Sequence, residues 1–160
     1  MLNIRKMIAS DRAAIHEILV QTRMFTEAEL DVAMELIDIF LTRQDQKDYY
    51  IYVAENERKE VVGYVCYGPT PATEGTFDLY WIAVSPAYQQ QGVGKKLLLF
   101  TEQEVVRQKG RMIIIETSSQ SKYKPTQDFY LRNHYRVEAQ IADFYRIGDD
   151  RMIFVKRFTA

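Results

Sequence analysis

The residues most able to do chemistry lie in one stretch, Tyr80 to Leu98: Tyr-Trp-Ile-Ala-Val-Ser-Pro-Ala-Tyr-Gln-Gln-Gln-Gly-Val-Gly-Lys-Lys-Leu-Leu. The aromatic and β-branched run Phe77 to Val84 reads as a central strand. After Pro86 comes a turn bearing Gly92 and Gly94, and from Gly92 the apolar positions Val93, Leu97, Leu98, Thr101 and Val105 mark a helix that stops near Gly110. Glycines at a helix start let successive backbone N–H groups converge without hindrance from Cβ atoms. The helix adds about half a positive charge there, so a phosphate or pyrophosphate is the natural guest. Spacing excludes two familiar phosphate motifs. A dinucleotide fingerprint starting at Gly92 needs glycine where Leu97 stands, and a Walker A loop ending at Gly94-Lys95 needs glycine at Gln89 and Ser or Thr at Lys96.

Other elements must hold this turn in place. Leu2 to Ile8 reads as an opening strand, and Ser10 or Asp11 is placed to cap a helix carrying Ile15, Ile18 and Leu19. Thr26, with Glu29 at the capping-box position, starts a second helix whose Leu30, Met34, Ile37 and Leu41 share one face. Glu27, Asp31, Glu35 and Asp38 form an acidic stripe on that helix: a solvated face, or a lure for a cationic amine. Tyr49 to Ala54 and Val61 to Tyr67 predict an antiparallel pair. Phe77 to Val84, the helix over 92–109 and the apolar run from Met112 make a β-α-β unit with parallel strands. A helix over Pro125 to Asn133 and strands over Tyr135 to Ile141 and Met152 to Phe158 close the chain. The expected class is α/β (α+β): a mixed, mostly antiparallel sheet with one parallel β-α-β unit and about four helices, in one domain over residues 1–160.

Composition limits the function classes. The chain has 160 residues, 47% hydrophobic and 27% charged, which excludes disorder as the main state. With 21 Lys and Arg against 22 Asp and Glu, the net charge of -1 argues against a nucleic-acid partner. No stretch has the length and apolarity of a membrane span or a signal peptide, so no membrane partner is expected. The single cysteine, Cys66, excludes an intrachain disulfide framework and multi-cysteine metal sites, and it lacks the context of an acyl-carrying nucleophile. The expected location is cytoplasmic, with no metal.

Gln89, Gly92 and Gly94 fill the pattern Q/R-x-x-G-x-G/A after a strand ending Ile-Ala-Val-x-Pro. This resembles the acetyl-CoA-binding signature of the GNAT superfamily of N-acetyltransferases. The resemblance is co-linear over most of the chain, including Pro125-Thr126-Gln127-Asp128-Phe129-Tyr130, which is similar to the family's penultimate Phe-Tyr helix. The general pattern is nearest to members resembling ribosomal-protein alanine acetyltransferases.

The resemblance implies acetyl transfer from acetyl-CoA to a primary amine by direct transfer in a ternary complex. The acceptor is a small molecule, a peptide N-terminus or a lysine. It assigns the pyrophosphate to backbone N–H groups of Gln89, Gln90, Gln91, Gly92, Val93, Gly94 and Lys95, and pantetheine and the thioester to Ala83 and Val84, where the two parallel strands part. The Val84 N–H would polarise the thioester carbonyl without titrating. Gln89 either contacts ligand or braces the turn. Tyr130 stands at the family's general-acid position; a phenol of pKa about 10 stays protonated at neutral pH. Asp78, on the face that strict alternation shares among Tyr80, Ile82 and Val84, or a water, would take the amine proton. His134-Tyr135 replaces the family's usual Gly-Phe pair, with Asn133 available as the left-handed residue. A homodimer is the assembly the resemblance leaves open. The competing class is a non-catalytic acyl-CoA-binding or regulatory module of the same fold.

Overall fold

A computed structural model describes residues 1–158. The chain runs β1 (Asn3–Lys6), α1 (Arg12–Thr22), α2 (Glu27–Thr42), β2 (Tyr50–Glu55), β3 (Val61–Pro69), β4 (Thr76–Val84), α3 (Val93–Arg107), β5 (Met112–Ser118), α4 (Lys124–Arg132), β6 (Arg136–Arg146) and β7 (Asp149–Arg157). The sheet order is β1-β2-β3-β4-β5-β7-β6. Strands β4 and β5 are the parallel pair; their register covers Thr76–Asp78 against Met112–Ile114, after which both strands run on without pairing to each other. The chain folds into two compact units, Met1–Pro69 with Leu79–Gln103 and Thr70–Asp78 with Glu104 onward. No helix is long and apolar enough to cross a membrane among the described residues.

In the first unit, α1 and α2 bury Ile15, Ile18, Leu19, Met34 and Ile37 in a core with Ile51, Val53, Tyr64, Cys66 and Ala83. Thr26 caps α2 as expected, its Oγ1 accepting from the Glu29 N–H at 3.2 Å, a bond that contributes about 1 kcal/mol. The expected side-chain cap of α1 is absent. Asp11 is instead gripped by the Arg5 guanidinium at 2.8 and 3.0 Å and accepts from the Ile8 N–H, and these partners hold its carboxyl below the usual carboxylate range. The acidic stripe on α2 is also not wholly free, since Arg12 forks onto Asp38 at 2.7 and 3.0 Å.

In the second unit, the hairpin of β6 and β7 is longer than the sequence pattern indicates, and β7 also pairs with β5 from Met112↔Arg157 to Ser118↔Arg151. Tyr130 of α4 packs against Phe154 and Tyr135, with ring centroids 5.7 and 5.9 Å apart. The expectation that Asn133 supplies the left-handed residue after α4 is overturned. Asn133 has φ -96°, and His134 itself takes φ 71°. Asn133 is held back by its own Nδ2, which donates to the Phe129 carbonyl at 2.7 Å, so the reversal passes to the next residue. Histidine tolerates this conformation better than most side chains.

Candidate active site

The turn after β4 is built on the neighbouring hairpin. Ser85 N–H donates to the Val62 carbonyl of β3 at 2.8 Å, and Tyr88 N–H donates back to Ser85. The Tyr88 hydroxyl accepts from Asn56 Nδ2 at 3.1 Å and lies 3.5 Å from Glu60, tying the turn to the loop between β2 and β3. Gly63 of β3 brings the start of α3 close: a Cβ there would stand 3.1 Å from Ala83 O and Leu97 Cδ1 and 3.2 Å from Val93 Cγ1. Asn56, Glu60, Gly63 and Tyr88 carry no signal in the sequence. The contacts between the β2–β3 hairpin and the turn join residues 20 or more apart along the chain, beyond the reach of local spacing.

From this base the chain turns sharply. Gln90 and Gly92 are left-handed, at φ 62° and 83°, on either side of Gln91. A Cβ on Gly92 would meet no atom within 4 Å, so packing does not explain this glycine. The conformation and the open space in front of it do. In α3 the Lys96 N–H is the first to bond back, to Gly92 O at 3.0 Å. The N–H groups of the first turn have no carbonyl one turn earlier to accept them. That turn contains no acidic residue, but it does carry Lys95 and Lys96, both exposed. Two cations at a positive helix end oppose the helix dipole, so this end is built to meet a polyanion.

Gln89 Nε2 donates to the Val84 carbonyl at 3.2 Å and ties the turn to the strand end. Gln91 makes a similar bond to Ala87 O at 3.3 Å. Ala83 is buried and Val84 half-buried. The alternation expected along β4 is present: Asp78, Tyr80, Ile82 and Val84 are half-buried, while Phe77, Leu79 and Ala83 between them are buried. Successive residues Tyr80 and Trp81 both pack against the core that contains Ala83. The pairing of β4 with β5 ends at Asp78, while the strand itself continues to Val84. Trp81 meets Phe25 edge-on at 5.0 Å and Tyr80 meets Tyr49 at 5.6 Å, in the first unit.

Asp78 and Tyr130 lie in the second unit. Thr70 Oγ1 donates to Asp78 Oδ2 at 2.7 Å, and Thr70 N–H donates to Thr76 O at 2.8 Å, so Asp78 also anchors the loop before β4. Tyr130 is 3% exposed, and burial pushes its phenol pKa up, which keeps the hydroxyl protonated at neutral pH. Cys66 is buried in the first unit and burial likewise raises its thiol pKa, as expected of an apolar filler. His16 is exposed on α1. Among the described residues no group of three or more His, Cys, Asp or Glu is placed to hold a metal.

The family model described as "Acetyltransferase (GNAT) domain" matches residues 47–137. Among solved structures, a protein assigned to the GNAT acetyltransferases from Desulfovibrio desulfuricans is 40% identical, with a TM-score of 0.94 over 98% of this chain and 99% of its own. The ribosomal-protein-S18-alanine N-acetyltransferase of Escherichia coli has a TM-score of 0.79 at 16% identity, over 100% of this chain and 96% of its own. An acetyltransferase-like protein of Salmonella typhimurium, solved with its cofactor acetyl-CoA, has a TM-score of 0.76 at 21% identity, over 100% of this chain and 95% of its own. No match is found among curated proteins. A seven-stranded mixed sheet with one parallel pair and four helices, a family match over more than half the sequence and a relative 40% identical over nearly the whole chain agree: this chain belongs to the GNAT acetyltransferase family.

Proposed function

We propose that this protein is an acetyl-CoA-dependent N-acetyltransferase acting in the cytoplasm, moving acetyl to a primary amine within one ternary complex. The observation that carries the reading is the turn at Gln90 and Gly92, left-handed at both residues, open in front of Gly92 and leading into a helix start with two lysines and no acid. Acetyl-CoA, the cofactor of the Salmonella relative, supplies the activated acyl group and a pyrophosphate of the right charge for this cradle.

The chain's own groups then have distinct tasks. Backbone N–H groups from Gln90 to Lys95 hold the pyrophosphate, while Gln89 braces the turn and keeps the Val84 end of β4 in place. The Val84 N–H polarises the acyl carbonyl as a fixed dipole. In the overall step the amine nitrogen forms the new C–N bond, the C–S bond breaks, the amine gives up one proton and the sulfur gains one. Tyr130, held neutral by burial, donates the sulfur's proton, and Asp78 or a water accepts the amine's.

Thermal unfolding with acetyl-CoA, CoA and NAD, followed by thiol release with an amine panel, tests this. A ligand at 100 times its Kd stabilises by about 2.7 kcal/mol, roughly 5–10 °C in a chain of this size. A rise with acetyl-CoA and CoA but not NAD, and amine-dependent thiol release, is the expected result. No rise would overturn the reading, and a rise without thiol release on any amine would make the protein a non-catalytic acyl-CoA-binding module.

A further inference from the structure

In the unit formed by Thr70–Asp78 and Glu104 onward, Ile113, Ile115 and Thr117 share one face of β5 by alternation and are all buried, while Glu116 between them is exposed. Across the ladder Ile115 stands opposite Phe154 of β7, and Thr117 opposite Met152. The Phe154 ring lies 5.7 Å from the ring of Tyr130 on α4. Gln127, three residues before Tyr130 and buried with it on one side of α4, donates from Nε2 to the Ser118 carbonyl at 2.9 Å. The turn of α4 from Gln127 to Tyr130 is thus fixed at two points, by Gln127 at Ser118 and by Tyr130 beside the pair Ile115–Phe154. Thr117 lies between those points, on the buried face.

Thr117 does not fit this packing as a core residue should. It is 7% exposed, and its Oγ1 has no hydrogen-bond partner among the described residues. A buried hydroxyl without a partner lowers stability, because it gives up its bonds to water and gains nothing in return. Valine has the same branched shape, suits a strand equally well and carries no such penalty. Packing accounts for the shape of the side chain at position 117 and not for its oxygen.

The acid role of Tyr130 supplies a use for that oxygen. Tyr130 is 3% exposed, and the rings of Phe129, Tyr135 and Phe154 surround its own. As the C–S bond breaks, its electron pair stays on sulfur and takes the Tyr130 proton, leaving a phenolate oxygen in apolar surroundings. A buried anion needs a hydrogen-bond donor. Other donors on this side are committed: Gln127 Nε2 to the Ser118 carbonyl, and Lys156 Nζ, on the Phe154 face of β7, to the Asn133 carbonyl at 3.2 Å. The Thr117 hydroxyl is uncommitted, and its proton rotates to suit an acceptor. Thr117 keeps that proton throughout. The proton that the amine gives up to Asp78 or a water returns through solvent to Tyr130, so the cycle closes with one proton moved from nitrogen to sulfur.

We infer that Thr117 is a positioning residue of the transfer: its hydroxyl donates to the Tyr130 oxygen as that oxygen becomes negative. This rests on the acetyl-transfer reading with Tyr130 as its acid, and both residues lie in the same unit.

The test uses the full chain, acetyl-CoA and the amine that gives the fastest thiol release in the panel. Thr117→Val should lower kcat about tenfold or more, with KM for acetyl-CoA and the thermal shift by acetyl-CoA unchanged and the urea midpoint equal to or above that of the wild type. Thr117→Ser, which keeps the oxygen, should return kcat to within about threefold of the wild type. In a Tyr130→Phe background, where no phenolate forms, Thr117→Val should change kcat by less than about twofold. Thr117→Ala takes the place of the valine variant if that one does not fold. An unchanged kcat in folded Thr117→Val, a loss that serine does not restore, or an equal loss in the Tyr130→Phe background overturns the inference and leaves the acetyl-transfer reading standing. Unchanged turnover in Tyr130→Phe removes the acid and the inference with it. No thermal shift by acetyl-CoA, or no thiol release from the wild type with any amine, overturns the reading beneath it and the inference together.

Discussion

The two ends of α3 use glycine in opposite ways. At the N-terminal end Gly92 is left-handed and a Cβ would meet nothing within 4 Å. At the other end the left-handed residue is Lys109, at φ 63°, and Gly110 follows it with no room: a Cβ would lie 2.3 Å from Val105 Cγ1, 2.9 Å from Val105 O and 3.0 Å from Phe77 Cδ2. Gly110 N–H closes the helix on Val105 O at 2.8 Å. One glycine stands before open space, and the other lets the chain pass close to its own side chains. In the sequence both look like helix-boundary glycines.

Substitutions should separate the two roles. Gly110→Ala should have the largest effect, costing about 3 kcal/mol of unfolding free energy by overpacking, as read from urea midpoints, with acetyl-CoA affinity of the folded fraction unchanged. A fully stable variant would show that Val105 and Phe77 yield, and the contrast with Gly92 would fail. Tyr130, in the same unit as Gly110 and as closely packed, asks whether tight packing means a structural role alone. Tyr130→Phe keeps the ring, so kcat should fall roughly 100-fold with acetyl-CoA affinity nearly intact if the hydroxyl donates the proton. Unchanged turnover would class Tyr130 with Gly110 as packing.

Gly92→Val should do the reverse of Gly110→Ala. Stability should drop by about 1–2 kcal/mol from the left-handed strain, while acetyl-CoA affinity, measured by calorimetry, should weaken about tenfold or more as the side chain enters the open cradle. Wild-type affinity in a folded variant would remove the pyrophosphate from this turn. Gln89→Ala should have the smallest effect, about threefold on acetyl-CoA affinity, because it loosens the brace on Val84 O without touching the N–H groups proposed to hold phosphate. A loss as large as that of Gly92→Val would return Gln89 to direct ligand contact.

Much of the fold is legible in the sequence because it is written in short spacings. The apolar face of α2, its Thr26 cap and the strand-turn-helix around Gln89, Gly92 and Gly94 all depend on residues within a few positions of each other. The misreadings are equally specific. Asp11 looks like a helix cap from its neighbours, whereas its carboxylate is taken by Arg5 across the opening turn. Propensity favours Asn133 over His134 for the left-handed position, a weak effect beside the bond from Asn133 Nδ2 to Phe129 O.

The sequence by itself determined the element order, the position of the glycine-bearing turn and the family, because backbone preference and hydrophobic period act locally and glycine spacing survives without any partner. Only the tertiary structure decided which partners brace the turn, that Gly92 faces open space while Gly110 is hemmed in, and that a bulge in β6 holds Phe144 over Arg151. Those outcomes depend on which distant side chain reaches each donor, acceptor or gap, and that information exists only when the strands are paired.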